Sequence, residues 1–245
     1  MRLSLVGLNY CMLFFLALAI FSFLFIYPAL CAPEGIAITS NVTEEKSPNT
    51  ASSLTTPGGS FTTMTLNGSF QTPRWKAYVG NVSGQLRLSD TAGYSIYDWD
   101  LAAISGEVYV SRNDTIQWAD IECITNGVLT SEQASLNLTE SYPDSINKTF
   151  NNTVHKSFLV GTKNITASSC RAIATYVNNA SQSPSENANF QEILLQDNAQ
   201  NVVYATLIES SITGFDGADY DFQIIVPDNP DVNVHNTYYF FAEIS

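Results

Sequence analysis

From Val82 to Ser89 the sequence alternates residue by residue. Val82, Gly84, Leu86 and Leu88 fall on one side, and Ser83, Gln85, Arg87 and Ser89 on the other. A period of two puts successive side chains on opposite faces of a pleated strand, so this stretch predicts β structure with one apolar face. Asp90-Thr91-Ala92-Gly93 supplies turn chemistry, and Tyr94, Ile96 and the Tyr97/Trp99 pair resume a second strand. The reading is a β-hairpin whose aromatic side chains fill the first half of one core. All three tryptophans, Trp75, Trp99 and Trp118, lie in or beside this region.

The rest of the chain repeats the same grammar. Gly106–Arg112, Ser157–Gly161, Cys170–Val177, Glu192–Asp197, Asn201–Glu209, Tyr220–Pro227 and Thr237–Ile244 each read as strands. Asp197-Asn198 enters the turn of a hairpin between the fourth and fifth of these. Asn113-Asp114-Thr115 is a cap for a short helix running to Cys123, and Thr130–Leu138 suggests another helical turn or two. Glu140–Thr153, rich in Asn, Ser and Thr, predicts a long surface loop. About eight to ten strands without alternating long helices describe an all-β fold, mainly an antiparallel sandwich with short helical insertions. The last strand runs to the end of the sequence, which ties that end into the sheet.

Ahead of this domain the composition changes twice. After Arg2, no charged residue occurs from Leu3 to Ala32, and Cys11–Tyr27 is almost wholly apolar. A secretory signal has this form, with a cut before Ala32, and so does an N-terminal hydrophobic helix that stays in a bilayer. Both leave Arg2 inside and everything after Glu34 outside. Residues 33–61 are Ser-, Thr- and Asn-rich with few apolar groups, which predicts a flexible stalk. Phe61, Met64, Leu66 and Phe70 then return, so a first strand is expected from about Thr62. The expected organisation is 1–32 signal or anchor, 33–61 stalk, and 62–245 β-rich extracellular domain.

Charge narrows the partners. Ten Lys and Arg against 23 Asp and Glu give a net charge of -13, and only 13% of residues are charged. A Lys-poor acidic surface disfavours nucleic acid and electrostatic binding to anionic lipid. The membrane enters through the N-terminal segment if it is uncleaved, and the remaining partners are other surface proteins or glycans.

Cys123 and Cys170 are the cysteines beyond the N-terminal stretch. In an exported chain a lone pair of this kind forms a disulfide, here closing a loop of about 48 residues worth on the order of 3–4 kcal/mol. The alternative is two free buried thiols. A zinc site is disfavoured, because His155 and His235 are the only histidines and neither spacing fits a structural motif. Asp216, Asp219 and Asp221 sit in a Gly-rich stretch and are a weak calcium candidate, the simpler alternative being a polar turn. Glycosylation sequons stand at Asn41, Asn67, Asn113, Asn137, Asn147, Asn151, Asn164 and Asn179. A further sequon at Asn81, between glycines, reads as structural.

No nucleophile elbow, zinc-protease helix or phosphate-cradling glycine loop occurs. The one carboxylate pair of catalytic form is Asp98/Asp100, which brackets Trp99 and points away from its ring. No catalytic residue and no cofactor is therefore assigned. W-K-A-Y-V-G-N-V-S-G-Q-L-R-L-S-D, Y-D-W, G-E-V-Y-V, N-K-T-F, G-F-D-G-A-D-Y-D-F-Q-I-I-V-P and Y-Y-F-F-A-E, in that order, resemble a group of archaeal cell-surface proteins. The likeness covers most of Trp75–Ile244 and implies an envelope location and a β-rich domain; it brings no catalytic residues. The expected function is a non-enzymatic exported or membrane-anchored surface protein serving adhesion, envelope structure or filament assembly. The alternative is a carbohydrate-binding or carbohydrate-processing module that uses exposed Tyr and Trp rings.

Overall fold

The computed structural model describes residues 32–101, 103–231 and 233–244, so the expected N-terminal hydrophobic helix lies outside the described residues. In chain order the strands are β1 (Glu34–Gly35), β2 (Trp75–Gly80), β3 (Gln85–Ser89), β4 (Ser95–Asp100), β5 (Gly106–Ser111) and β6 (Glu122–Cys123). There follow β7 (Phe158–Val160), β8 (Lys163–Ile165), β9 (Ala172–Ala174), β10 (Gln191–Gln196) and β11 (Val202–Leu207). Last come β12 (Ile212–Thr213), β13 (Asp219–Tyr220), β14 (Phe222–Pro227) and β15 (Tyr239–Ile244). Two helices interrupt the series, α1 (Asn126–Ser135) and α2 (Ile146–Thr149).

The centre is the hairpin of β10 and β11, buried at every position. Around it one antiparallel sheet runs β1-β15-β5-β11-β10, and β6 and β9 share the remaining edge of β10 end to end. Continuous apolar runs such as I-L-L and V-V-Y-A are what a sheet covered on both faces demands. On one face Tyr109, Ile193, Leu195, Val203, Ala205 and Phe241 lie beneath Phe158, Val160 and Ile165 of the β7–β8 hairpin. On the other, Val110, Leu194 and Tyr204 lie beneath Leu129 of α1, Ile146 of α2, and Ile224 and Val226 of β14. β14 pairs with β2, which turns Tyr78 toward this core. The fold is all-β and mainly antiparallel, arranged as a central sheet with a layer on each face.

Several local expectations are corrected. The β3–β4 hairpin forms with its expected partners, but as a separate two-stranded sheet exposed at every residue, so it fills no part of the core. The chain leaves the body at Gly80, where β2 ends, and the alternation begins only beyond that point. No strand starts at Thr62: Phe61, Met64, Leu66 and Phe70 are exposed, and regular structure resumes at Trp75. The helix expected before Cys123 shrinks to one 3-10 turn, Trp118–Asp120, followed by β6. The expected surface loop at 140–153 carries α2, and its Ile146 and Phe150 are buried in the core.

The start of the expected stalk also belongs to the domain. Pro33 is buried, Glu34 and Gly35 pair with Ala242 and Phe241 of β15, and the Ile36 amide donates to the Phe240 carbonyl at 3.1 Å. The polar stretch that follows is thus a loop between β1 and β2, pinned at its far end where Thr72, Arg74 and Trp75 all bond to Asp144.

Candidate functional site

Cys123 and Cys170 form a disulfide with their Cα atoms 4.9 Å apart. It sits where β6 and β9 meet along β10, with Cys123 opposite Leu195 and Ala172 opposite Ile193. His155 supports the same junction. Its Nε2 accepts the amide hydrogens of Cys170 (3.0 Å) and Ser169 (3.2 Å), which places the ring proton on Nδ1, donated to the Lys156 carbonyl at 2.8 Å. Burial holds the imidazole below its ordinary pKa and keeps it neutral. His155 is therefore a structural acceptor rather than a ligand, and His235 is exposed.

The three aspartates of the calcium candidate are used inside the fold. Asp216 accepts from the Ala218 amide and the Tyr220 hydroxyl, both at 3.0 Å, and Asp219 accepts from the Thr213 hydroxyl at 3.0 Å. Asp221 accepts from the amides of Ser211 (3.0 Å) and Val82 (2.8 Å), tying the root of the β3–β4 hairpin to the body. Their carboxylates do not converge. Among the described residues no cluster of three or more acidic, His or Cys side chains could hold a metal. The Gly-Asp pattern is turn chemistry around β12–β13.

Asp98 and Asp100 point away from Trp99, as the alternation requires. Arg87 pairs with Asp98 at 3.4 Å and Gln85 donates to Asp100 at 3.4 Å, all on an exposed strand face. Both carboxylates are thus engaged in a solvated cross-strand ladder. Three buried carboxyls escaped sequence reasoning. Glu107 and Glu243 face each other across β5 and β15, both nearly out of solvent. Burial, and then the neighbouring Glu243, push the Glu107 pKa up to about 8, and burial also raises Glu243. Glu243 accepts the Gly161 amide at 2.7 Å. Glu192, fully buried on β10, accepts the Ile225 amide at 2.9 Å and is likewise raised by burial. The available signal was a glutamate inside an otherwise apolar strand of a Lys-poor chain. A shallow groove of about 430 Å³ lies elsewhere, along β15 beside Ile36 and Ile38, and none of these three glutamates lines it.

The sequons divide by exposure. Asn41, Asn67, Asn137, Asn151, Asn164 and Asn179 are exposed, and so is Asn81. Asn113 and Asn147 are half-buried, and the Asn113 amide is engaged, donating to Asn201 at 2.8 Å and accepting from Thr115 at 2.9 Å.

What the surface presents most distinctly is the hairpin itself. Leu86 lies opposite Trp99 and Leu88 opposite Tyr97, so these four side chains share one face; Gln85, Arg87, Asp98 and Asp100 share the other. The apolar four are 43%, 48%, 57% and 59% exposed in the order Leu86, Trp99, Leu88, Tyr97. A register shift after Leu88 leaves Ile96 unpaired, and Tyr94 and Ile96 at the tip are more exposed still. Of the three tryptophans Trp99 alone is open to solvent; Trp75 and Trp118 are half-buried against the two cores. An isolated two-stranded ribbon is marginal in water, and this one leaves its apolar face open to solvent. No family model, curated protein or solved structure matches the chain.

Proposed function

We propose that this chain is a non-enzymatic, exported surface protein, held at a membrane by its N-terminal segment, whose work is contact: adhesion, envelope structure or filament assembly. The observation that carries this reading is the β3–β4 hairpin, an apolar face offered to solvent with only a solvated charge ladder behind it. A disulfide supports an oxidising compartment, and the resemblance to archaeal surface proteins points the same way. Fractionation of the source cells with N-terminal sequencing tests it. Recovery with the membrane and an intact N-terminus is expected; a cytoplasmic product overturns the reading, and a mature start at Ala32 replaces anchoring with secretion.

A carbohydrate-binding module is the second reading, favoured by the exposure of Tyr97 and Trp99. Their rings meet edge to face, 63° apart with centroids at 4.8 Å, which is not the flat platform a sugar ring stacks on. Glycan-array binding by the purified protein that is lost in Trp99→Ala would establish this reading in place of the first.

A further inference from the structure

We infer that the groove beside β15 receives the Thr62–Leu66 segment of a second copy of this chain, added to the sheet edge as an extra strand. The inference rests on the filament-assembly reading above and names the contact that would build it. The acceptor is an edge that the fold leaves half covered. β15 runs from Tyr239 to Ile244, but β1 pairs only with its Ala242 and Phe241. The last bond between the two stretches goes from the Ile36 amide to the Phe240 carbonyl, and the groove opens where they part. Ile36, Ile38, Tyr238 and Tyr239 give it an apolar lining, with Asp114 as its charged member. Among the described residues no strand pairs with β15 on this edge beyond Gly35. An open strand edge beside an apolar groove is the combination that takes up an extended peptide: the backbone groups bind it and the groove selects its side chains.

The same chain carries a segment of that kind. Thr62-Thr63-Met64-Thr65-Leu66 places β-branched threonines between apolar residues, and in an extended strand Met64 and Leu66 fall on one face. This pattern is why a first strand is expected from Thr62. The domain gives it no partner: regular structure resumes only at Trp75, and Met64 and Leu66 are 56% and 83% exposed. One molecule thus holds an unpaired strand former and an unpaired strand edge, and leaves them apart.

Reach and charge favour a second copy as the donor. Leu66 precedes Thr72, which is held by Asp144, by six residues, an extended span of about 20 Å away from the body. No charged residue occurs from Ser47 to Pro73 in a chain of net charge -13. The arm therefore enters a groove marked by Asp114 without adding to the repulsion between two acidic bodies. Arm and groove are different surfaces, so each copy gives and receives at once. Head-to-tail contact of this kind extends as an open filament unless its rotation closes a ring.

The test follows the mass of the purified full chain in detergent by sedimentation, over a range of concentrations, with two variants. Ile38→Asp puts a charge in the groove, and Met64→Asp/Leu66→Asp puts two on the arm; all three positions are exposed, so the fold is retained. The wild type should self-associate beyond dimers as concentration rises. Each variant alone should associate about tenfold more weakly or less. Mixed together they should form a two-chain complex and stop there, because one supplies the only intact arm and the other the only intact groove. A wild type that stays monomeric overturns the inference, and so does association that persists in both variants, as contact through the β3–β4 hairpin or the N-terminal segment would give. A mixture that stays monomeric overturns it as well. Any of these results leaves the surface reading standing if the protein fractionates with the membrane; a cytoplasmic product removes that reading first.

Discussion

Glu107 and Glu243 stand opposite each other on neighbouring strands, and like charges in that register repel. Burial makes ionisation costlier, so Glu107 keeps its proton up to about pH 8 in the folded chain, against about 4.5 in the unfolded one. Tyr109 and Lys156 are the other titratable groups that bear on it. A folded pKa above the unfolded value means that the native state holds more protons across the window between them. Stability is then lost as pH rises through that window. His155 has the opposite sign: its lowered pKa contributes stability above about 6.5 that is lost on acidification. The two slopes oppose each other below pH 6.5, and above it only the carboxyls act. Urea unfolding should therefore show a fall on the order of 2 kcal/mol from Glu107 alone between pH 6.5 and 8. Glu107→Gln should remove most of that slope while preserving the fold. A wild-type stability that is flat or rises over this range would show that the pair is ionised in the native state.

At the scale of elements, the sequence was legible wherever local pattern and burial coincide. β10 and β11 declared themselves by the short apolar runs I-L-L and V-V-Y-A, and the hairpin between them by its Asp-Asn turn. The β3–β4 hairpin was legible as a hairpin but not as an exposed one, because alternation records that one face is apolar and not what covers it. Half-strands such as β6 are set by pairing with a distant strand and leave no local trace. The cysteine pair was legible by elimination; that it joins two half-strands along one edge of β10 was not. That junction reshapes the expected effect of losing it. Cys123→Ser/Cys170→Ser should cost about 3–4 kcal/mol. Amide exchange should accelerate first in β6 and β9, while β10–β11 stays protected. Faster exchange at 140–153 instead would locate the weak point under α2, despite the buried Ile146 and Phe150. Gly106 tests the β5–β15 register from the other side. Its φ is +123°, and an added Cβ would lie 2.0 Å from the Glu243 carbonyl oxygen. Gly106→Ala should cost more than about 2 kcal/mol in the same unfolding assay, since the strand backbone itself must move.

The molecule as a whole is organised by which stretches of chain the central sheet captures. Composition alone divides the N-terminal half into an apolar run, a polar spacer and a domain, and the sheet redraws that division by taking Pro33–Ile36 onto β15. The polar stretch that follows is a long loop that leaves from β1 and returns at β2. Side chains from Thr39 to Phe70 are exposed throughout, and within them Asn49 donates across a long separation to the Ser69 carbonyl at 2.9 Å. Such a segment adds loop-closure entropy that grows only logarithmically with its length, so shortening it changes stability little. Replacing residues 40–70 with a short Gly/Ser linker, keeping Pro33–Ile36 and Thr72–Trp75, should shift the unfolding free energy by less than about 1 kcal/mol. Replacing Pro33–Ile36 with Gly and Ser should cost more, because it uncovers the edge of β15 and a buried proline. Comparable losses from both replacements would mean that the polar loop carries contacts of its own, and that the apolar side chains Met64, Leu66 and Phe70 are part of what holds the domain together.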